Sequence, residues 1–321
     1  IVLLHFMKYN SIIKHIKIFF DDVKGKGLYI AFVNISWFIR KLFPENFFMM
    51  MMKKKHLMVK KKICEVIGNV DKYPLPQLKT KRSFNSTPLW FCWLQGEKNM
   101  PPITQICLKS INANSNGHPV IFISLDNYKK YVTLPAHIAE LFLSEKIKHA
   151  HFADILRTAL LYTYGGGWID STILLTRPLS TDIFRSEFYS IKLPVDYFFI
   201  SQARWSNFFL FCHSGNKLMG RTLELFYRYL SQKDYFIDYF MMDYFMDIVL
   251  ETDITLMSQI DSIPYNNQNV HQLKFHLEDN YSINHFADIC GNTYIHKLNW
   301  RVDSQNHSYN SVYNYLLKLY K

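Results

Sequence analysis

The sequence predicts an α/β protein, in which a mostly parallel sheet is flanked by helices and preceded by a basic, amphipathic helical segment. Three observations support this prediction. Short apolar runs alternate with segments of helical spacing. Hydrophobic residues make up 49% of the 321 residues, enough for a large core, and the basic residues are concentrated in the first quarter of the chain. We therefore expect an N-terminal segment and linker over residues 1–82 and a ligand-binding domain over residues 83–321.

Charge and cysteine usage limit the possible partners. Residues 1–82 hold 17 of the 37 Lys and Arg and 5 of the 26 Asp and Glu, a net charge of +12, whereas residues 83–321 have a net charge of −1. A nucleic-acid-binding domain normally has a basic surplus, so the near-neutral domain argues against nucleic acid as a partner. The 5 cysteines form no CxxC pair, which excludes a disulfide scaffold and a zinc finger and fits a reducing compartment.

The N-terminal segment mixes lysines with bulky apolar residues. Over residues 9–20 a helical wheel separates an apolar side from a polar side. The uncharged run 27–39 has 13 residues, whereas roughly 20 are needed to span a bilayer, so no transmembrane helix is predicted. Lysine triplets at 53–55 and 60–62 beside apolar residues suit an anionic membrane surface. We expect residues 1–62 to contact a membrane surface; the alternative is a helical extension that packs on the domain and leaves its lysines in solvent.

The domain begins with a strand, a helix and a second strand. Residues 89–94 are a continuous apolar run typical of a buried strand. A helix opens at Pro101 and Pro102, since proline is tolerated in the first turn, and a second apolar run follows at 120–125. This order predicts a sheet that binds ligands at the carboxyl ends of its strands.

The pattern continues with further helices and strands. A helix with an apolar stripe starts at His151 and stops at three consecutive glycines, Gly165–Gly167. The other predicted elements are helices over 134–145, 218–230 and 235–250 and strands over 168–169, 173–175 and 197–211.

Three charged residues around these glycines predict a binding pocket. Asp154 and Arg157 lie three residues apart on the helix, opposite its apolar stripe; an exposed ion pair at this place would contribute little to stability. Asp170 lies inside an apolar strand, where a carboxylate is costly to bury unless it binds something. Glycines also let backbone approach a ligand closely. Two carboxylates and a guanidinium suit a phosphorylated, hydroxyl-rich ligand such as a nucleotide sugar.

The same stretch resembles a known family. His151–Arg157 and Leu160–Asp170 are similar to the D-x-x-R…Y-G-G-x-x-x-D block of glycosyltransferases with a DXD-type sugar-binding region, and most similar to their capsular polysaccharide synthesis branch. The flanking stretches that also resemble this branch are Trp90–Gly96, Pro101–Ile103, Asp238–Tyr244 and Ile295–Leu298, so the resemblance covers roughly residues 88–300.

The resemblance implies a GT-A fold that binds a nucleotide-sugar donor at the strand ends and transfers the sugar with retention. By position, Trp93 and Gln95 would contact the base or ribose, and Asp154 and Arg157 would hold the ribose and donor sugar. Asp170 would be the first acid of the DXD motif. The donor site implied in this way also includes Gly166, Gly167 and Ser171.

The resemblance also implies a divalent cation, Mn or Mg, that neutralises the leaving diphosphate. Here the second acid of the motif is replaced by Thr172, and a hydroxyl is a poorer ligand for a hard cation than a carboxylate. Either Asp170 holds the metal with another group, or Arg157 and lysines balance the charge, or activity is lost. The candidate metal ligands are Asp170, Thr172 and His296. The candidate catalytic residues are Asp170, Arg157 and Asp243, the last in an aromatic-rich helix.

The leading hypothesis is an enzyme, a hexosyltransferase-like glycosyltransferase. It would transfer a sugar from a nucleotide-sugar donor to an oligosaccharide or lipid-linked acceptor of a capsular or surface polysaccharide. The enzyme would lie in the cytoplasm, and residues 1–62 would hold it at the inner face of the membrane as a peripheral protein. Thr172 motivates the alternative, a catalytically inactive GT-A-like protein that binds nucleotide sugar or polysaccharide. A nucleic-acid binder is a third hypothesis, which the near-neutral domain disfavours.

Overall fold

The computed structural model describes residues 23–24, 27–36, 44–301 and 307–320. The first helices with described bounds are α1 (Leu28–Ser36) and α2 (Glu45–Ile67). The amphipathic pattern predicted over residues 9–20 lies outside the described residues. Among the helices of the described part of the chain, none combines the length and the apolar character needed to cross a membrane.

The rest of the described chain alternates between helices and short strands. The strands are β1 (Leu89–Cys92), β2 (Val120–Ile123), β3 (Gly166–Ile169), β4 (Ile173–Leu175), β5 (Phe188–Ser190), β6 (Phe209–Cys212) and β7 (Ile295–Lys297). The helices are α3 (Pro102–Ala113), α4 (Ala136–Leu143), α5 (His149–Tyr164), α6 (Thr181–Arg185), α7 (Lys217–Gln232), α8 (Met241–Thr252), α9 (Ile254–Ser262), α10 (Ile283–Cys290) and α11 (Val312–Leu319).

Five strands form the main sheet, in the order β2-β1-β3-β6-β5. β1 pairs in parallel with both β2 and β3, while β6 is antiparallel to β3 and to β5. Four of the five strands therefore run in one direction, which confirms the predicted α/β class with a mostly parallel sheet. The chain leaves β1 toward β2 on one side and later places β3 on the other side. Ligands of such sheets bind beyond the carboxyl ends of strands at this kind of switch point.

The two faces of the main sheet are covered by different helices. Alternate strand residues point to opposite faces, so Trp90 and Trp168 share one buried cluster with α5, α7 and α8. Phe91 and Phe209 belong to a second cluster, with Ile111 of α3. The helix before β3 thus lies on the face opposite α3, which brings its polar side to the sheet edge where β1 and β3 end.

Helix α2 packs against the domain. Val59 and Ile63 are fully buried in the cluster that includes α7 and α8. Lys55 forms a buried ion pair with Asp238 at 2.7 Å, and Lys60 pairs with Asp247 at 2.7 Å. Two of the six lysines in the 53–55 and 60–62 triplets therefore hold the helix in place.

A second, two-stranded sheet joins the C-terminal part of the chain to the main sheet. β4 follows β3 after a short turn and pairs antiparallel with β7, with Ile173 opposite Lys297 and Leu174 opposite His296. This pairing brings residues from near position 297 beside Asp170.

Two predicted elements are wrong in extent. The strand expected over 197–211 is present only from Phe209, and residues 197–208 form turns and irregular backbone. Gln202 and Ala203 have φ of 53° and 60°, left-handed values that a strand does not accommodate. The helix expected over 235–250 begins at Met241.

Candidate functional site

A cavity of about 960 Å³ opens at the carboxyl ends of β1 and β3. Its size is at the upper end of the range for small-molecule sites, roughly 300–1,000 Å³. Most of the predicted site residues line it, although they come from three distant parts of the chain. Those that line it are Trp93, Gln95, Asp154, Arg157, Asp170, Ser171, Thr172 and Asp243.

Helix α5 supplies the first ion pair. Its apolar stripe is buried against the sheet, and Gly165, with φ of 69°, ends the helix by donating its N–H to the Leu161 carbonyl at 2.9 Å. The packing of this stripe leaves Asp154 and Arg157 on the side of the helix that lines the cavity. Nη1 of Arg157 lies 3.1 Å from Oδ1 of Asp154, and the guanidinium stacks 4.9 Å from the centre of the Trp168 ring.

Asp170 follows β3 directly and accepts three polar contacts. Its Oδ1 receives Arg157 Nη2 at 3.1 Å and Trp168 Nε1 at 2.7 Å, and its Oδ2 receives Lys297 Nζ at 2.7 Å. Burial alone would raise the pKa of Asp170, but the charges of Lys297 and Arg157 and the hydrogen bonds from Lys297 and Trp168 outweigh it and lower the pKa to about 2. The carboxylate is therefore ionised at any physiological pH.

The carboxyl of Asp154 responds differently. Its side chain is largely withdrawn from solvent, and this burial raises the pKa to about 6, with Arg157 opposing the shift and the Asp170 charge adding to it. The Arg157 guanidinium thus bridges two carboxyl groups at the cavity, of which Asp154 has a raised pKa and Asp170 a lowered pKa.

Asp243 approaches the cavity from the first turn of α8. Trp205 Nε1 donates to its Oδ1 and Asn207 Nδ2 donates to its Oδ2, each at 2.8 Å. Burial raises the pKa of Asp243 to about 7, against the Trp205 hydrogen bond and with a further contribution from the Asp154 charge. A carboxyl that is half-protonated near neutral pH is suited to general acid–base chemistry.

Trp93 and Gln95 lie in the loop after β1. The Trp93 ring meets Trp300 edge-on, with centroids 6.1 Å apart, and its Nε1 donates to the Asn99 carbonyl at 3.2 Å. The Gln95 side chain is exposed beside it. These residues give one wall of the cavity an aromatic surface on which a flat ring can stack.

Three of the predicted site residues do not line this cavity: Gly166, Gly167 and His296. A methyl group added to Gly166 would lie 2.1 Å from the Pro88 carbonyl oxygen, and one added to Gly167 would lie 2.2 Å from the Phe211 ring. These glycines therefore allow close packing within the protein, where we had expected close approach to a ligand.

His296 faces away from Asp170. Its ring is fully buried and its Nε2 lies 3.3 Å from Thr176 Oγ1. Burial, with a smaller contribution from Arg177, lowers the pKa of His296 to about 4. Because side chains alternate along a strand, the neighbouring residue Lys297 faces the cavity. Lys297 is not among the predicted site residues, although this alternation along Ile295–Leu298 is the sequence signal that separates it from His296.

The three side chains predicted to bind a metal ion do not form a metal site in this structure. Asp170 is paired with two cations, Thr172 contributes a hydroxyl at most, and His296 is directed elsewhere. Within the part of the chain that the structure describes, three His, Cys, Asp or Glu side chains come close enough to share an ion at His276, Asp279 and His285, none of which lines the cavity.

A protein-family model matches the part of the chain that contains the predicted site. Residues 39–316 match the family model described as capsular polysaccharide synthesis protein. This range includes α2 and extends to α11, so it covers every element that lines the cavity. A search of curated proteins returns no match. The chain belongs to the capsular polysaccharide synthesis protein family, which indicates a role in capsule biosynthesis.

Proposed function

We propose that the chain is a glycosyltransferase of the GT-A type that transfers a sugar from a nucleotide-sugar donor to a capsular polysaccharide acceptor, with retention. The observation that supports this most strongly is the cavity at the β1–β3 switch point, where Asp154, Arg157, Asp170 and Asp243 meet. Nucleotide ligands of open α/β sheets bind at this position. The family supports a biosynthetic reaction on a polysaccharide.

The proposed roles follow from the chemistry of the lining. The ring of Trp93 offers a stacking surface for the base, and the carboxylate of Asp154 accepts hydrogen bonds from sugar hydroxyls. During transfer the bond from the anomeric carbon to the diphosphate oxygen breaks, and its electron pair remains on that oxygen. The anomeric carbon bonds to the acceptor hydroxyl oxygen on the same face that the diphosphate leaves, as retention in a single displacement requires, and the hydroxyl proton passes to Asp243. The raised pKa of Asp243, about 7, makes it a better proton acceptor than an ordinary carboxylate.

The test uses the full chain and a panel of nucleotide sugars. A donor that binds the native state must raise the unfolding midpoint, and turnover is followed as release of nucleoside diphosphate. Asp170→Asn should retain the fold and lose turnover by orders of magnitude, since it removes the charge that orders Arg157 and Lys297. Asp261→Asn, an exposed carboxylate that does not line the cavity, is the matched control. Equal turnover in both variants would refute the site.

Because Thr172 replaces the second acid of the motif, a second candidate function is the binding of a nucleotide sugar without turnover. This function predicts that a donor raises the unfolding midpoint and that no nucleoside diphosphate is released with any acceptor. Turnover by the wild type removes this candidate.

We further propose that the protein works at a membrane surface, through one face of α2. Phe47, Met50, Lys54, Leu57 and Lys61 are exposed at spacings of three and four residues, so they lie on a single side of the helix. Apolar side chains between lysines match an anionic lipid surface, where each lysine contributes about 1 kcal/mol.

Substitution tests this surface better than deletion of residues 1–62. Deletion would also remove Val59 and the Lys55–Asp238 ion pair, which are part of the folded core. A Met50→Ser/Leu57→Ser variant changes only exposed positions of α2, and Leu143→Ser changes an exposed leucine on another helix. Only the first should lose binding to vesicles that contain phosphatidylserine. Equal binding by both variants would exclude this face.

A further inference from the structure

The carboxylate expected to bind a metal is already neutralised by two side-chain cations. Lys297 Nζ lies 2.7 Å from Asp170 Oδ2, and Arg157 Nη2 lies 3.1 Å from Oδ1. Trp168 Nε1 takes a further position on Oδ1 at 2.7 Å. A carboxylate has about four lone-pair sites, so little of its capacity remains for a metal ion. A divalent cation would also have to sit beside the ammonium and the guanidinium, which would repel it.

The other acids of the cavity do not complete a metal site either. Asp154 is paired with Arg157, and Asp243 accepts from Trp205 and Asn207. Asp196 accepts the backbone N–H of Phe198 through Oδ1 at 2.8 Å. Hard cations such as Mg²⁺ need a near-octahedral set of oxygen ligands, and the lining carboxylates are engaged with donors of the protein itself.

We propose that Lys297 and Arg157 replace the divalent cation, so that the site binds the diphosphate of its donor and product without metal. This inference rests on the proposed glycosyltransferase function. An ammonium has three N–H donors, and the Lys297 ammonium gives one to Asp170, which leaves donors for phosphate oxygens. Asp170 is then a positioning residue: it holds the two cations at the cavity wall and is not itself a ligand of the diphosphate.

The same two cations support the departure of the leaving group. Negative charge grows on the diphosphate oxygen as the bond to the anomeric carbon breaks, and preorganised cations stabilise that charge. The step requires no proton transfer from Lys297 and no co-reactant. Because the cations are part of the chain and are ordered by Asp170, the site is ready before the donor arrives.

Calorimetric titration of the full chain with UDP, GDP, ADP and CDP tests the inference, once in EDTA and once in saturating Mn²⁺. We expect the wild type to bind at least one nucleoside diphosphate in EDTA, with an affinity that Mn²⁺ changes by less than about threefold, which is below the effect of a single charged hydrogen bond. Lys297→Met should weaken binding in EDTA by about 10- to 100-fold, the loss expected for a hydrogen bond to a charged group.

Two further variants control for folding and for loss of any lysine. Lys297→Arg keeps the charge and should retain most of the affinity. Lys192→Met removes a half-buried lysine whose Nζ donates to the Asp261 carbonyl outside the cavity lining, and should bind like the wild type. If Lys297→Met unfolds, a comparison of the wild type with Lys297→Arg in EDTA and in Mn²⁺ still tests the metal independence.

The outcomes separate the two proposals. Binding that appears only with Mn²⁺ overturns the metal-independent site and leaves the proposed transferase standing. Wild-type affinity of Lys297→Met in EDTA also overturns it, because the lysine would then do nothing for the diphosphate. No binding of any nucleoside diphosphate by folded protein in either condition overturns the proposed function and, with it, this inference.

Discussion

Replacement of Asp243 by asparagine should make the stability of the protein less dependent on pH. The pKa of Asp243 is raised to about 7 in the folded state from an ordinary value of 3.8. Between these values the folded state holds a proton that the unfolded state has lost. The wild type therefore loses stability as the pH rises from about 4 to about 7, by up to 1.36 kcal/mol per pH unit. Asparagine has no such proton.

The expected magnitude follows from these two pKa values. The free energy of unfolding of Asp243→Asn, relative to the wild type, should increase by about 2 kcal/mol between pH 5 and pH 7. The amide can accept from only one of Trp205 and Asn207, and the mismatch at the other costs about 1–3 kcal/mol. That cost is the same at every pH, so it lowers the free energy of unfolding of the variant by a constant amount and does not change how that free energy varies with pH.

Urea unfolding followed by tryptophan fluorescence at several pH values measures this difference. Asp170→Asn is a control, because the pKa of Asp170 is shifted in the opposite direction from that of Asp243. The pKa of Asp170 is about 2 in the folded state against an ordinary 3.8, so its stabilising contribution is constant above about pH 5 and is lost as the pH falls from about 4 to about 2. A stability difference for Asp243→Asn that stays flat between pH 5 and pH 7 would refute the burial-raised pKa and the acid–base role built on it.

Three further substitutions test the packing, the site and the surface. Gly166→Ala places a methyl group 2.1 Å from the Pro88 carbonyl oxygen at a φ of 88°. It should therefore lower the free energy of unfolding by about 2–6 kcal/mol. Gly117→Ala, at a φ of 80° but with open space around it, should lower it less in the same urea titration. Arg157→Lys should weaken donor binding about tenfold or more in calorimetry, because one ammonium cannot reach both Asp154 and Asp170 as the planar fork does; unchanged affinity would contradict the bridge. Leu57→Glu should reduce binding to anionic vesicles severalfold in a sedimentation assay, and full binding would contradict the role of the α2 face.

The core of the site could be predicted because it comes from one contiguous stretch. Helical spacing places Asp154 and Arg157 on one side of α5, the glycines end that helix, and β3 then presents Asp170 within a few residues. Local geometry alone fixes these relations, and the structure brings the three charges into contact at 3.1 Å for each pair with Arg157. The order of strands and helices in the first half of the domain was predictable for the same reason.

Long-range pairings could not be predicted in this way. For helix α2 the sequence left two alternatives open, contact with a membrane surface or packing on the domain with the lysines in solvent, since the helix itself carries only Glu45 and Glu65 beside its six lysines. Its partners are Asp238 and Asp247, far away in the chain, as the 187-residue separation of Lys60 from Asp247 illustrates. The aromatic run 197–208 is predicted as a strand because its residues favour strands. In the structure Phe198 instead stacks on Phe48 of α2, with ring centroids 5.8 Å apart, a contact between residues far apart in sequence.

The choice between His296 and Lys297 shows how strand register determines chemistry. The two residues are adjacent, and histidine is the better metal ligand by type. β7 pairs Ile173 with Lys297 and Leu174 with His296, so His296 lies on the face of Leu174 and Lys297 lies on the opposite face. The residue that remains for the cavity is a cation whose ammonium reaches the carboxylate at 2.7 Å. A shift of one residue in this pairing would exchange the two side chains and place an imidazole at Asp170, where a metal could bind. The register of β4 and β7 therefore decides whether an imidazole or an ammonium group lies beside the carboxylate of Asp170.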